Sequence, residues 1–195
     1  MHQLISSIEL SLEKGNWFGA LFIAISLPDI CGATEDVVKG NGARYKEWFN
    51  RYLKPRYDPD NMYEQMLIVS PEMLKTLSQH LKEKWKKKAP LVTFTAEDCW
   101  SLRNACLHEG VDENKLKKFR ITPPSGEGEV HMNSFQGVLQ LDVVLLCNDI
   151  INAVHQWLDD MKQKPDVMAK IEKMMKIDQN TFDSMFHFEN YKSSK

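Results

Sequence analysis

The stretch Trp17–Leu27, WFGALFIAISL, constrains this chain more than any other. It is too apolar to lie in water. It is also too short to cross a bilayer, because Pro28 and Asp29 end it well before the roughly 20 residues a span needs. The rest of the chain must cover it. Trp17, Leu21, Ile25 and Leu27 read as core positions of one helix, Trp17–Val38, the most apolar in the chain. Asn16 is placed to cap it. Pro28 removes one backbone donor and crowds the preceding turn, so a kink is expected there. Asp29 reads as a solvent-facing or capping acid, with a buried functional acid as the sharper alternative.

A chain of 195 residues can bury such a helix in one domain, 1–195, whose last stretch, about 180–195, is a packed tail or a frayed end. The formal net charge of −2 excludes a generally basic nucleic-acid coat, so any such contact must come from a local patch. Cys31, Cys99, Cys106 and Cys147 have no metal-ligand spacing and read as reduced core thiols. The N-terminus MHQLISSIELSLEKG lacks the layout of a signal peptide. A cytoplasmic protein with no membrane partner is expected, and neither a cofactor nor a metal is called for.

Helical spacing continues along the chain. Leu4, Ile5, Ile8 and Leu12 make a first helix, stopped at Gly15-Asn16. Ala43–Leu53 is a short helix with Tyr45, Trp48, Phe49 and Tyr52 on one side, a stripe that reads as core rather than as a base-stacking platform. Lys54–Asn61 is a Pro-containing connection, and Tyr63–Val69 is a strand or a helical turn. Ser70 and Pro71 signal a helix start. Met73, Leu74, Leu77 and Leu81 then give one helix that ends in Lys82–Lys88, KEKWKKK. These lysines read as a solvated end matched to the helix dipole, or as a phosphate-binding patch. Phe119–Ile121 and Val130–Met132, flanking TPPSGEGE, suggest a short hairpin. A second long apolar helix spans about Leu141–Met161, with His155 at its boundary. A short helix, Asp166–Lys176, follows Pro165.

The chemistry-bearing stretch is Thr95–Gly110, TAEDCWSLRNACLHEG. Thr95 can cap a helix, Glu97 and Asp98 suit its positive end, and Gly110 offers a left-handed stop. Arg103, Asn104 and His108 put a permanent cation, an amide and a titratable imidazole within two turns. Residues five apart differ by about 140° on an ideal helix, so Arg103 and His108 share a cleft only if the last turn loosens. The bland alternative pairs Arg103 with a carboxylate and leaves His108 to cap carbonyls.

The stretch Arg103-Asn104-Ala105-Cys106-Leu107-His108 resembles the signature of HEPN-domain proteins, an Arg with a polar neighbour followed a few residues later by a His. ALFIAISLPDICGATED and RYKEWFNRYL are similar to segments of small bacterial HEPN-like proteins. The resemblance implies an all-α HEPN-like helical bundle, here with a kinked apolar helix and a short β-hairpin insertion. Lys54–Val69 and the hairpin depart from the smallest family members. The resemblance further implies an endoribonuclease from defence or toxin–antitoxin systems that needs no metal, with Arg103, Asn104 and His108 as its catalytic residues. RNA would be the substrate, with a homodimer as the working form and an antitoxin or nucleotidyltransferase as a possible partner. The rival readings are a non-catalytic HEPN-like module that binds a protein or nucleotide, and an unrelated helical scaffold.

Overall fold

The computed structural model describes residues 1–35, 39–109, 118–125 and 130–177, and of His108, Glu109 and Lys118 the backbone alone. Helix α1 (His2–Glu13) ends before Gly15, and α2 (Trp17–Glu35) starts under the Asn16 cap, whose Oδ1 accepts from Gly19 N at 3.1 Å. Helix α2 runs through Pro28 as one helix, with Ala20, Leu21, Ala24, Ile25, Leu27 and Cys31 buried. Residues 36–38, the expected end of this helix, lie outside the described residues. By length and composition α2 could cross a membrane, but it is the central core helix, packed on α1, on α3 (Asn41–Tyr52) and on α9 (Val143–Met161).

Helices α2 and α3 approach each other tightly. A Cβ on Gly32 would lie 3.0 Å from Arg44 Cβ and 3.2 Å from Arg44 O, so only glycine lets the two backbones meet here. Tyr45, Trp48 and Phe49 of α3 have no exposed surface, so the aromatic stripe is core. Glu35 fastens the far end of α2. It accepts from Arg51 through both carboxylate oxygens (3.1 and 2.7 Å) and from Trp157 Nε1 at 2.7 Å.

Between α3 and the central motif the chain is more broken than its periodicity suggests. Lys54–Tyr57 is one helical turn (α4), and the ambiguous Tyr63 region is helical, α5 (Met62–Val69). The single helix expected from Ser70 to the lysines is two helices, α6 (Pro71–Thr76) and α7 (Gln79–Lys86). The physical reason is at Ser78, which caps α7 by accepting from Leu81 N; Ser70 makes no side-chain cap bond. Helices α5, α6 and α7 form a satellite lobe with its own small core of Met62, Met66 and Leu74, flanked by Tyr63, Leu77 and Trp85.

After α8 (Ala96–Asn104) come β1 (Lys118–Thr122), β2 (Asn133–Phe135) and β3 (Val138–Asp142), in the order β1-β3-β2. The architecture is therefore mainly helical with a small three-stranded sheet rather than all-α. The expected hairpin between Phe119–Ile121 and Val130–Met132 is not the one formed. β1 pairs in parallel with β3, Phe119 opposite Leu139, while β2 pairs with β3 in antiparallel register, Ser134 opposite Leu139. The hairpin turns at Gln136-Gly137, both at positive φ (51° and 77°), the two-residue geometry that matches strand twist. Asp142 ends β3 and caps α9, accepting from Val144 N and Leu145 N. His131 Nδ1 accepts from Asp142 N at 3.1 Å, and Tyr57 Oη bridges His131 Nε2 (3.1 Å) and Asp149 Oδ2 (2.8 Å), which ties the sheet to α4 and α9. Helix α10 (Pro165–Glu172) closes the described fold.

Candidate functional site

Helix α8 begins as the sequence implies. Thr95 Oγ1 accepts from Asp98 N at 3.1 Å and Asp98 Oδ2 accepts from Thr95 N at 2.9 Å, a capping box with Asp in the return position. Cys99 and Leu102 turn into the core, and Lys46 of α3 reaches Glu97 at 2.8 Å. This anchored start fixes the register of the helix, and hence where Arg103 leaves it.

Arg103 emerges toward α2. Its Nη2 donates to Asp29 Oδ2 at 3.2 Å, its Nη1 donates to Asn104 Oδ1 at 3.1 Å, and its Cζ lies 5.0 Å from the centre of the Trp100 ring. Arg44 of α3 approaches the same carboxylate, with Nη2 3.6 Å from Asp29 Oδ1. Arg44 is held by Lys39 O and Asn41 Oδ1, both at 2.6 Å, and its buried Nε has no hydrogen-bond partner among the described residues. All three side chains are mostly buried: Arg44 is 12% exposed, Arg103 15% and Asp29 17%. Two guanidinium groups thus approach one carboxylate at the junction of α2, α3 and α8. Such a site suits an oxyanion, because guanidinium forks bind one bidentately and stay charged at any working pH.

Sequence reasoning placed Arg103 and Asn104 together, and the structure brings them into contact. It left Asp29 mainly as a surface acid and did not single out Arg44. Neither lies near Arg103 in the chain, and no local spacing announces a carboxylate shared across three helices.

The last turn of the motif helix does loosen. Ala105–Glu109 form a π turn. A turn closed by i→i+5 bonds holds one residue more than an α turn, so residues five apart approach one full turn instead of falling on opposed sides. The His108 imidazole, and Gly110 with its expected stop, lie outside the described residues.

On the neighbouring face of the same helix, Leu102 and Cys106 line an apolar groove of about 580 Å³. Trp17, Phe18, Leu21 and Phe22 of α2 form one wall, and Ile121–Pro123 and Val143 another. Phe18 and Phe22 stack edge to face at 6.0 Å, and Phe18 is 75% exposed. Burial pushes the Cys106 thiol up to about 11, so it is a poor nucleophile. Among the described residues, no three His, Cys, Asp or Glu side chains are grouped to hold a metal ion.

The lysines of Lys82–Lys88 lie on the second half of α7 and just past its end, in the satellite lobe and on a different element from Arg103. Lys84, Lys86, Lys87 and Lys88 are exposed. Comparison with known proteins brings no family model, no curated protein and no solved structure that matches the chain.

Proposed function

We propose that the chain is a HEPN-like bundle that acts in the cytoplasm as a metal-independent endoribonuclease. The observation that carries the reading is the end of α8, where Arg103 shares Asp29 with Arg44 beside a π turn that holds His108. RNA carries its own nucleophile, the 2′-hydroxyl, next to each scissile phosphate. His108 accepts the 2′-hydroxyl proton or protonates the leaving 5′-oxygen. Arg103 takes up charge on the non-bridging oxygens, and Asn104 holds the guanidinium from one side. The 2′-oxygen–phosphorus bond forms as the bond from phosphorus to the 5′-oxygen breaks, which leaves a 2′,3′-cyclic phosphate and a 5′-hydroxyl. A homodimer supplies the second imidazole, so that one His108 serves as base and its mate as acid. A setting in defence or in a toxin–antitoxin pair, with an antitoxin or nucleotidyltransferase partner, belongs to the same reading.

The test is incubation of the purified protein with mixed RNAs in EDTA. Cleavage should persist, end in cyclic phosphate and fail on RNA carrying 2′-O-methyl groups. Arg103→Ala and His108→Ala should each lower the rate by roughly a hundredfold or more. Loss of cleavage in EDTA, or equal cutting of methylated RNA, would remove the internal-nucleophile mechanism.

A second reading, a non-catalytic HEPN-like module that binds a protein or nucleotide, is favoured by one observation: Arg103 is 15% exposed and bonded to Asp29. Under it, Arg103→Ala lowers thermal stability and the wild-type protein cuts no RNA.

A further inference from the structure

The satellite lobe carries two features that the ribonuclease reading leaves unused. The first is its tip. Where α5 turns into α6, Leu67 (47% exposed), Val69 (68%) and Met73 (39%) stand in solvent, with Ile68 beside them. Other aliphatic residues of the lobe fill its small core, so these four are surplus to its folding. The second is its charge. Residues 62–88 hold six lysines against three glutamates and contain no arginine, in a chain whose overall charge is −2.

The two features have a fixed relation. Met62 N donates to Lys88 O at 2.8 Å, and Lys86 Nζ lies 5.4 Å from the centre of the Tyr63 ring. The end of α7 therefore meets the start of α5, the helix whose other end carries the tip. The apolar tip stands at one end of the pair and Lys84–Lys88 at the other. At 1.5 Å per residue, Gln79 to Lys86 spans about 10 Å.

We infer that this lobe docks the protein on an anionic bilayer surface, with the Leu67–Met73 tip entering the interface and the α7 lysines meeting lipid phosphates. An apolar element seated about 5–10 Å into the headgroup boundary would leave the lysines at the level of the phosphates. Clusters of four to eight basic residues beside such an element attract anionic leaflets, with roughly tenfold in affinity for every one or two lysines. Single-stranded RNA is the weaker fit. Its readers offer arginine and open aromatic faces, whereas this lobe has no arginine, Tyr63 lies under Lys86, and Trp85 is half-buried. RNA also leaves the aliphatic tip unexplained.

The test is flotation of the full chain with two kinds of vesicle, phosphatidylcholine alone and phosphatidylcholine with about one-third phosphatidylserine. The protein should float with the anionic vesicles only, and added salt should release it. Replacing Lys84, Lys86, Lys87 and Lys88 together with Gln should weaken binding roughly a hundredfold or more. Val69→Asp, at a position 68% exposed and so harmless to the fold, should weaken it roughly tenfold. Circular dichroism of both variants should match the wild type. Equal flotation on neutral vesicles, no flotation at all, or polyuridylate binding that is lost with the same lysines while vesicles stay unbound would each overturn the inference. Binding to vesicles does not require RNA cleavage, so an inactive protein that floats leaves this inference intact.

Discussion

Asp29 answers to two guanidinium groups, and this makes it the residue on which the candidate site depends. Its removal takes from Arg44 and Arg103, both largely buried, the carboxylate that they share. Breaking a buried pair in this way costs on the order of 3 kcal/mol, so urea denaturation of Asp29→Ala should show a midpoint well below that of the wild type, with Asp29→Asn between them. Equal midpoints would mean that water already screens the cluster. The cysteines give a second expectation at this scale. Burial pushes Cys99 and Cys147 up to about 12, Cys106 up to about 11 and Cys31 higher than its ordinary value. Iodoacetamide at mildly alkaline pH should therefore label the native protein slowly, and first at Cys106, the least buried of the four; mass spectrometry showing fast labelling of Cys99 would contradict this packing. The sequence announces Arg103 and Asn104 because they are neighbours on one helix. Asp29 lies 74 residues from Arg103, and only the packing of α2 against α8 reveals the pair.

At the scale of elements, the long apolar helices and the short ones at Ala43–Leu53 and after Pro165 were legible from the sequence, whereas the broken stretch from Lys54 to Lys86 was not. Helix α2 and helix α9 bury nine residues each; α2 is apolar on all sides and α9 along one face, and either pattern over 19 residues is hard to misread. Thr76–Ser78 broke an apparently continuous stripe because a serine cap competes locally with one more helical turn. The parallel pairing of β1 with β3 joins segments that no turn signal connects, and Gly137 marked the true hairpin less loudly than TPPSGEGE marked a false one. Two expectations belong here. Gly32→Ala places a methyl 3.2 Å from the Arg44 carbonyl, which cannot move without shifting α3; the cost should be about 1–3 kcal/mol in chemical denaturation. Glu35 sets the acid limit of the α2, α3 and α9 junction. Burial pushes its carboxyl up, but hydrogen bonds from Arg51 and Trp157 outweigh that and hold it below its ordinary value of 4.5. A depressed carboxyl contributes stability above about pH 4.5 that is lost as pH falls through the folded value. Glu35→Ala should remove that acid-side loss from a pH series of melting temperatures, and by stranding the Trp157 N–H it should cost about 1–3 kcal/mol at neutral pH.

At the scale of the whole molecule, the proposed ribonuclease mechanism needs two imidazoles at one cleft, while each chain brings one His108 to it. Helix α9 turns its apolar residues into its own core, and its outward positions Asn148, Asn152, His155 and Gln156 are polar. The surplus lies instead at the start of α2, where Phe18 is 75% and Phe22 37% exposed along a groove that shares Leu102 and Cys106 with the motif helix. A two-fold pairing through this patch would seat the Phe18 of each copy in the groove of the other, since an isologous interface presents the same surface twice. It would also bring two α8 ends to one cleft. The proposal therefore ties three measurements together. Light scattering at micromolar concentration should give a dimer. The pH–rate profile should be bell-shaped, because one His108 must be neutral and its mate charged in the same encounter. Phe18→Asp should give a folded monomer, since an exposed ring contributes little to the core, and should slow cleavage roughly a hundredfold or more by removing the second proton-transfer group. A wild-type chain that is strictly monomeric yet cuts RNA with a bell-shaped profile would break this link. The second titrating group would then have to come from the chain itself, and His108 would need a partner other than its own copy.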